Sequence, residues 1–190
     1  MNLIVNADLD WGIGRDGQLL VHLREDMRHF KALTTGHVLV LGRKTLGTFP
    51  GGKPLPARTN IIMTRDRSMD VDGALICHSL AELAVRLAAY PSENIFVAGG
   101  DSLYHQLLPF CHQAYVTRVL HHLLADTHFP NLDRNPAWNL RDTGPVQTGL
   151  STLGGQQEEI KFQFCLYRQE NAADLTEWLR ERGEQFDEED

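Results

Sequence analysis

No stretch of this 190-residue sequence approaches the ~18 consecutive apolar residues of a membrane-spanning helix. A basic-then-apolar leader is also lacking, so the expected location is the cytoplasm, with no membrane partner. Cysteine is scarce: Cys77, Cys111 and Cys165 are odd in number, far apart and without CxxC spacing. They exclude a disulfide framework and a cysteine zinc site, and read as buried or free thiols in a reducing compartment. Basic residues are outnumbered, 18 against 25, for a net charge of −7. A nucleic-acid partner is therefore not expected, because counterion release needs a positive surface and base stacking needs aromatic residues set within it.

What is present fits one well-cored globular domain, with 42% hydrophobic and 23% charged residues. The acidity is concentrated at one end. Residues 171–190 hold eight acids and two arginines, which leaves the rest of the chain almost balanced. Within that body Arg43, Lys44, Lys53, Arg58, Arg65 and Arg67 face the single acid Asp66, a basic island suited to anionic ligands. The last twenty residues read as a separate acidic unit in which Leu175, Trp178, Leu179 and Phe186 share a helical stripe. Docking on the chain's own surface and self-association are its two uses, and the final DEED is expected to be disordered.

Residues 23–45, LREDMRHFKALTTGHVLVLGRKT, organise the rest. Helical spacing from residue 23 puts Asp26 with Met27, Phe30 and Leu33, and Glu25 with Arg28, His29 and Ala32 on the opposite, polar side. Asp26 is then either a first-turn acid favoured by the helix dipole or a carboxylate in an apolar pocket, suited to proton chemistry or to a polar heterocycle. The run HVLVL, residues 37–41, lacks alternation and predicts a strand buried on both faces. It enters GRKT, which reads either as a plain turn or as backbone N–H groups and cations presented to a phosphate.

Residues 2–7 predict a buried opening strand, and the glycines at 12, 14 and 17 a mobile segment beside a site, over residues 8–22. FPGGKPLP is a loop ending at Arg58, before a strand at 59–64. A short strand at 74–77 and a helix capped by Ser79 look like packing alone. NIFVAGGDSLYHQLLP repeats the pattern of strand, glycines and helix start, a second anion cradle. Two cradles in one domain favour a ligand with separated phosphates. Residues 113–119 alternate as a strand, with Tyr115, Thr117 and Val119 on one side. ADTHFPNL, residues 125–132, reads as a polar turn, and a strand at 159–168 after Gly154-Gly155 predicts a C-terminal antiparallel hairpin. His121, His122 and His128 lack metal-ligand spacing, so no metal is expected.

With these residues placed, the sequence resembles the dihydrofolate reductase family over residues 1–168. The likeness rests on NLIVNADLDWGIG, EDMRHFKALTTGHVLVLGRKT, LPARTNIIMTR, IFVAGGDSLYHQLLP, YVTRV and DTHFP, in that order and spacing. It implies a single α/β domain with a mixed, mostly parallel eight-stranded sheet, followed by an acidic helical extension at 169–190. It also implies reduction of 7,8-dihydrofolate by hydride from NADPH, by a monomer.

By the same resemblance Asp26 holds the pterin's amino group and ring nitrogen, and Thr117 is its hydroxyl partner. Met27 and Phe30 line the pterin and benzoyl rings, Arg58 clamps the glutamate carboxylate, and Asn6, Ala7, Phe49, Leu55 and Ala98 complete the substrate site. Gly42, Arg43, Lys44, Thr45, Thr64 and Arg65 resemble contacts to the cofactor's phosphates and adenosine. Ala7, Ile13, Gly14, Leu19, Ala98 and Thr127 fall on its nicotinamide side. Gly99, Gly100, Asp101, Ser102 and Leu103 form the second cradle, with Tyr104 beside the nicotinamide. The chain departs from the family at Leu20-Val21, where Pro-Trp is usual, and at Arg24, where proline is usual. The tryptophan ordinarily helps hold a water near the pterin, so the proton step is open at this point. Ala98 is smaller than the usual branched residue and implies a roomier pocket. The competing readings are a riboflavin-pathway reductase of the same fold, acting on a ribosylated pyrimidine, and a binding module without turnover.

Overall fold

The computed structural model describes residues 1–153 and 156–184. In chain order the first half holds β1 (Asn2–Ala7), β2 (Gly12–Arg15), β3 (Gln18–Leu19), α1 (Arg24–Thr34), β4 (Val38–Gly42), α2 (Arg43–Leu46), β5 (Thr59–Met63), β6 (Ala74–Cys77) and α3 (Leu80–Leu87). The second half holds β7 (Ile95–Val97), α4 (Asp101–Leu107), β8 (Gln113–Val119), β9 (Thr127–His128), β10 (Trp138–Thr143), β11 (Gln147–Leu153), β12 (Gln156–Gln169) and α5 (Leu175–Glu181).

The main sheet runs β10-β12-β8-β1-β7-β4-β5-β6. The six strands from β8 to β6 are parallel, and β12 is antiparallel to β8. This is the mixed, mostly parallel eight-stranded sheet expected, with β11 added as a ninth strand. β10 pairs with the last part of β12 and β11 with its first part, so the two share one edge. The β11–β12 pair is the C-terminal hairpin; its expected Gly154-Gly155 turn lies outside the described residues.

The unalternating strands are buried on both faces because successive side chains enter two different clusters. Leu3, Val5, Val38, Val40, Ile61 and Val97 join one cluster, with Leu83 and Leu87 of α3 and Leu103 and Leu107 of α4. Ile4, Leu39, Leu41, Ile62 and Phe96 join the other, with Phe30 and Leu33 of α1 and Leu46 of α2. Parity then decides the site. Asn6, two residues beyond Ile4, and Thr117, two beyond Tyr115 of the second cluster, are aimed at the face covered by α1.

Residues 8–22 were expected as a mobile segment and 125–132 as a turn, but each contributes strand. β2 pairs with β3 and with β9 in a separate three-stranded sheet. Glycines and two-residue strands hide this pairing, whose partners lie more than a hundred positions apart. The polar side expected of α1 also differs. His29 stacks on Phe164 at 4.1 Å, and Glu25 is half-buried, its Oε2 2.8 Å from where a Cβ on Gly149 of β11 would lie. The β11–β12 flap covers what helical periodicity alone assigns to solvent.

α5 rests on the body of the chain. Leu175 and Leu179 enter the first cluster, and Trp178 meets Phe110 edge-on at 5.3 Å. Asp174 caps the helix through Glu177 N. Each buried leucine contributes about 1.5–3 kcal/mol. Truncation after Gln169 is therefore expected to lower the thermal midpoint by roughly 10 °C in a scanning experiment. Phe186 and the terminal DEED lie outside the described residues. Among the described residues no helix is long and apolar enough to cross a membrane, and Cys77, Cys111 and Cys165 are free and buried.

Candidate active site

Asp26 lies in the first turn of α1, above the centre of the sheet. Thr117 donates its hydroxyl to Oδ1 at 2.6 Å, and Asn6 donates its amide to Oδ2 at 3.2 Å. Asn6 and Thr117 are register partners on the neighbouring parallel strands β1 and β8. Burial raises the carboxyl's pKa, and the hydrogen bonds from Thr117 and Asn6, with the nearby His29 and His22, oppose that rise. Asp26 is thus both a first-turn acid of α1 and a desolvated carboxylate, and desolvation also lowers the pKa of His29.

Around this carboxylate the apolar residues converge. Met27 is 48% exposed toward solvent, an unusual state for a methionine beside a core. Phe30 and Phe49 meet edge-on at 6.4 Å, and Leu55 and Ala98 pack in the same cluster. The Arg58 guanidinium lies 5.9 Å over the Phe30 ring. Its Nε donates to Thr34 Oγ1 and one terminal nitrogen to the carbonyl of Pro56, both at 2.8 Å. Among the described residues no acceptor is seen on the other terminal nitrogen. Leu55 and Arg58 also line a separate hollow of about 480 Å³ with Lys53, Asn60 and Asp72.

A cleft of about 970 Å³ opens from Asn6 along the C-terminal ends of the parallel strands. It gathers Ile13, Gly14, Leu19, Gly42, Arg43, Lys44, Thr45, Thr64, Arg65, Ala98 and Thr127, with Gly100, Asp101, Ser102, Leu103 and Tyr104 of the second cradle. Ala7, although expected at the site, is buried behind its wall at 1% exposure. Gly99 stands behind the cleft as well: its carbonyl accepts from Gly42 N at 2.6 Å, and its φ is +102°. A Cβ there would lie 2.9 Å from Tyr104 Cε2. The ring is fixed in turn by a 2.7 Å hydrogen bond from its hydroxyl to the carbonyl of Ile4.

α2 and α4 both begin at a glycine without a side-chain cap, Gly42 and Gly100; in α4 Leu103 N donates to the Gly100 carbonyl at 2.9 Å, and the N–H groups ahead of it can face an anion. A Cβ on Gly100 would stand 3.3 Å from Thr45 Oγ1 and narrow this mouth. Volume, cations and paired N–H cradles fit an anionic dinucleotide.

Sequence reasoning missed several residues here. His78, Ser79 and Leu80, read as the start of a packing helix, line the cleft together with Gln18, Gln106 and Asp126. The available signal was position, since the turn after β6 is another carboxyl end of a parallel strand, where open α/β sheets take ligands. Asp8 was missed too. At 1% exposure, its carboxylate accepts from Asp10 N at 2.9 Å and from Gly12 N and Leu123 N at 2.8 Å each. It thereby ties the root of segment 8–22 to the chain before β9, and Asp126 Oδ2 ties the tip by accepting from Asp16 N at 2.8 Å. Asp8→Ala leaves the buried Gly12 N and the part-buried Asp10 N and Leu123 N without their charged acceptor, so a loss of about 3 kcal/mol is expected. Urea denaturation measures it.

The family model described as dihydrofolate reductase matches residues 1–169. A dihydrofolate reductase from Bacillus subtilis is 31% identical over 176 residues, covering 91% of this chain and 96% of that protein. One from Staphylococcus aureus is 36% identical over 130 residues, covering 68% and 77% respectively. Among solved structures, the dihydrofolate reductase from Enterococcus faecalis complexed with NADP(H) and RAB-propyl superposes with a TM-score of 0.70 at 28% identity, covering 89% of this chain and 95% of that one. A match of this length places the chain: it belongs to the dihydrofolate reductase family.

Proposed function

We propose that this chain reduces 7,8-dihydrofolate to 5,6,7,8-tetrahydrofolate with NADPH. The observation that carries this reading is the Asp26 carboxylate, hydrogen-bonded by Thr117 and by Asn6, the residue that also lines the near end of a dinucleotide-sized cleft. A carboxylate offers two acceptors side by side, which match an amino group and the neighbouring N–H of a pterin. Met27, Phe30, Phe49, Leu55 and Ala98 give flat apolar surfaces for the rings, and Arg58 takes the glutamate carboxylate.

Arg43, Lys44 and Thr45 hold the cofactor's phosphates, with Thr64 and Arg65 toward its adenosine end. Two arginines around a ribose phosphate favour NADPH over NADH. Gly99, Gly100, Asp101, Ser102 and Leu103 bound the second cradle, and Ile13, Gly14, Leu19, Tyr104 and Thr127 border the nicotinamide, with Ala7 behind them. Bound NADPH supplies the hydride from its nicotinamide C4. The chain's own task is to stack the two rings at reacting distance, a positioning role. Asp26 orients and polarises the pterin while water brings the proton to N5. Segment 8–22, tied by Asp8 and Asp126, keeps bulk water out.

Residues 1–168 form the reductase unit and 169–190 an acidic extension, whose helix α5 braces it, and the working form is a monomer. Three free thiols suit the cytoplasm. The test is NADPH oxidation followed at steady state, with dihydrofolate and separately with a ribosylated aminopyrimidine as acceptor. Saturable turnover with dihydrofolate alone supports the reading. Turnover with the pyrimidine, or tight NADPH binding without turnover, overturns it.

A further inference from the structure

Asn6 occupies a position that its residue type does not favour. Asparagine is depleted from strands, and β1 is an interior strand between β7 and β8. At Asn6 the strand pairs with β8 through Thr117, while its pairing with β7 ends at Leu3 and Val97, so what distinguishes the residue here is its side chain. That side chain and the Thr117 hydroxyl leave register-matched positions on the same face and reach the two oxygens of one carboxylate. A carboxylate only accepts, so the amide nitrogen of Asn6 is the atom turned to Asp26. Among the described residues Asn6 and Thr117 are the side-chain donors on Asp26.

We infer that Asn6 is a positioning residue for Asp26: with Thr117 it takes one lone pair on each carboxylate oxygen from the sheet side and leaves the outer two as a fixed pair of acceptors for the substrate ring. This deepens the proposed function and rests on it for the identity of the ring. Without the amide, Oδ2 is free to rotate away from that geometry and loses a donor that favours its ionised form. The other groups facing the carboxylate are His22 and His29 from the side of α1 and the Tyr104 phenol from α4. None of them is altered by substitution at Asn6.

The test uses the ligand-free protein and no turnover, so it stands or falls separately from the reductase reading. The Asp26 carboxyl is titrated by its 13C shift in the wild type and in Asn6→Leu, which keeps the volume and removes the donor. The midpoint is expected to rise by about one unit in the variant, the size of a charge-assisted hydrogen bond. In the wild type the side-chain NH2 signals of Asn6 are expected to move with the same midpoint. An unchanged midpoint in the variant overturns the inference. So do Asn6 signals that ignore the Asp26 titration, a result available even if the variant does not fold.

Discussion

Asp26→Asn is expected to lower kcat/KM for dihydrofolate by about 10²–10³-fold at neutral pH, the scale of removing one preorganised electrostatic contact. The amide keeps the shape but replaces one of two acceptors by a donor, which faces the donor edge of the ring. Glu25→Gln is the control, since Glu25 points to Gly149 and β11 and not into the cleft, and it is expected to keep turnover. Stability should respond in the opposite sense to activity. Burial raises the pKa of Asp26 in the folded chain, so its ionised form costs stability above that folded value. The cost fades as pH falls through the folded pKa and is gone below the ordinary carboxylate value of 3.8. Thermal midpoints of Asp26→Asn are therefore expected at or above wild type near neutrality, with the difference closing in acid.

Gly99→Ala should produce the second large effect, in cofactor affinity. A φ of +102° is outside the range that side chains accept readily, and the added methyl would press 2.9–3.0 Å from the Tyr104 ring and hydroxyl. Tyr104 cannot yield without breaking its bond to the Ile4 carbonyl, and Gly99 cannot yield without moving the carbonyl that holds Gly42. Both cradles are thus coupled through one glycine. Strain of about 1–3 kcal/mol corresponds to roughly 5–150-fold weaker NADPH binding if the cradle deforms to relieve it, measured by fluorescence titration. Gly73→Ala has a similar φ of +80° and nothing within 4 Å. It is expected to cost some stability and leave NADPH affinity unchanged, which separates backbone strain from the close approach.

Much of this site was legible because the information is local. The run of apolar residues before GRKT marks a strand with two covered faces, and helical spacing sets Asp26 on the same side as Phe30. Alternation in residues 113–119 put Thr117 with Tyr115, and the structure keeps that parity. What stayed hidden depends on partners distant in sequence. Glu25 looked solvated because nothing in the helix foretells that β11 will cover it. β2 and β9 are too short to show a period, and they exist because Gly12 and Gly14 meet His128 and Thr127 across a long span of chain. Asp8 reads as an ordinary turn residue until Leu123 N is brought to its second oxygen. Asn6 shows the same limit. Its proximity to Asp26 follows from parity and register, neither of which can be read from one strand.

The departure at Leu20-Val21 acquires a physical meaning from these contacts. Val21 is buried among apolar residues with Leu23 and Phe162, and the side-chain donors on Asp26 are Thr117 and Asn6.

The most direct test of the central claim is a single-turnover reaction with NADPH deuterated at the transferable position of nicotinamide C4 and dihydrofolate as acceptor. If the cleft and the Asp26 pocket stack the two rings as argued, deuterium appears at C6 of tetrahydrofolate, with none exchanged to solvent, and Asp26→Asn slows that step. Deuterium lost to water, or tight NADPH binding with no transfer to dihydrofolate, would contradict the account.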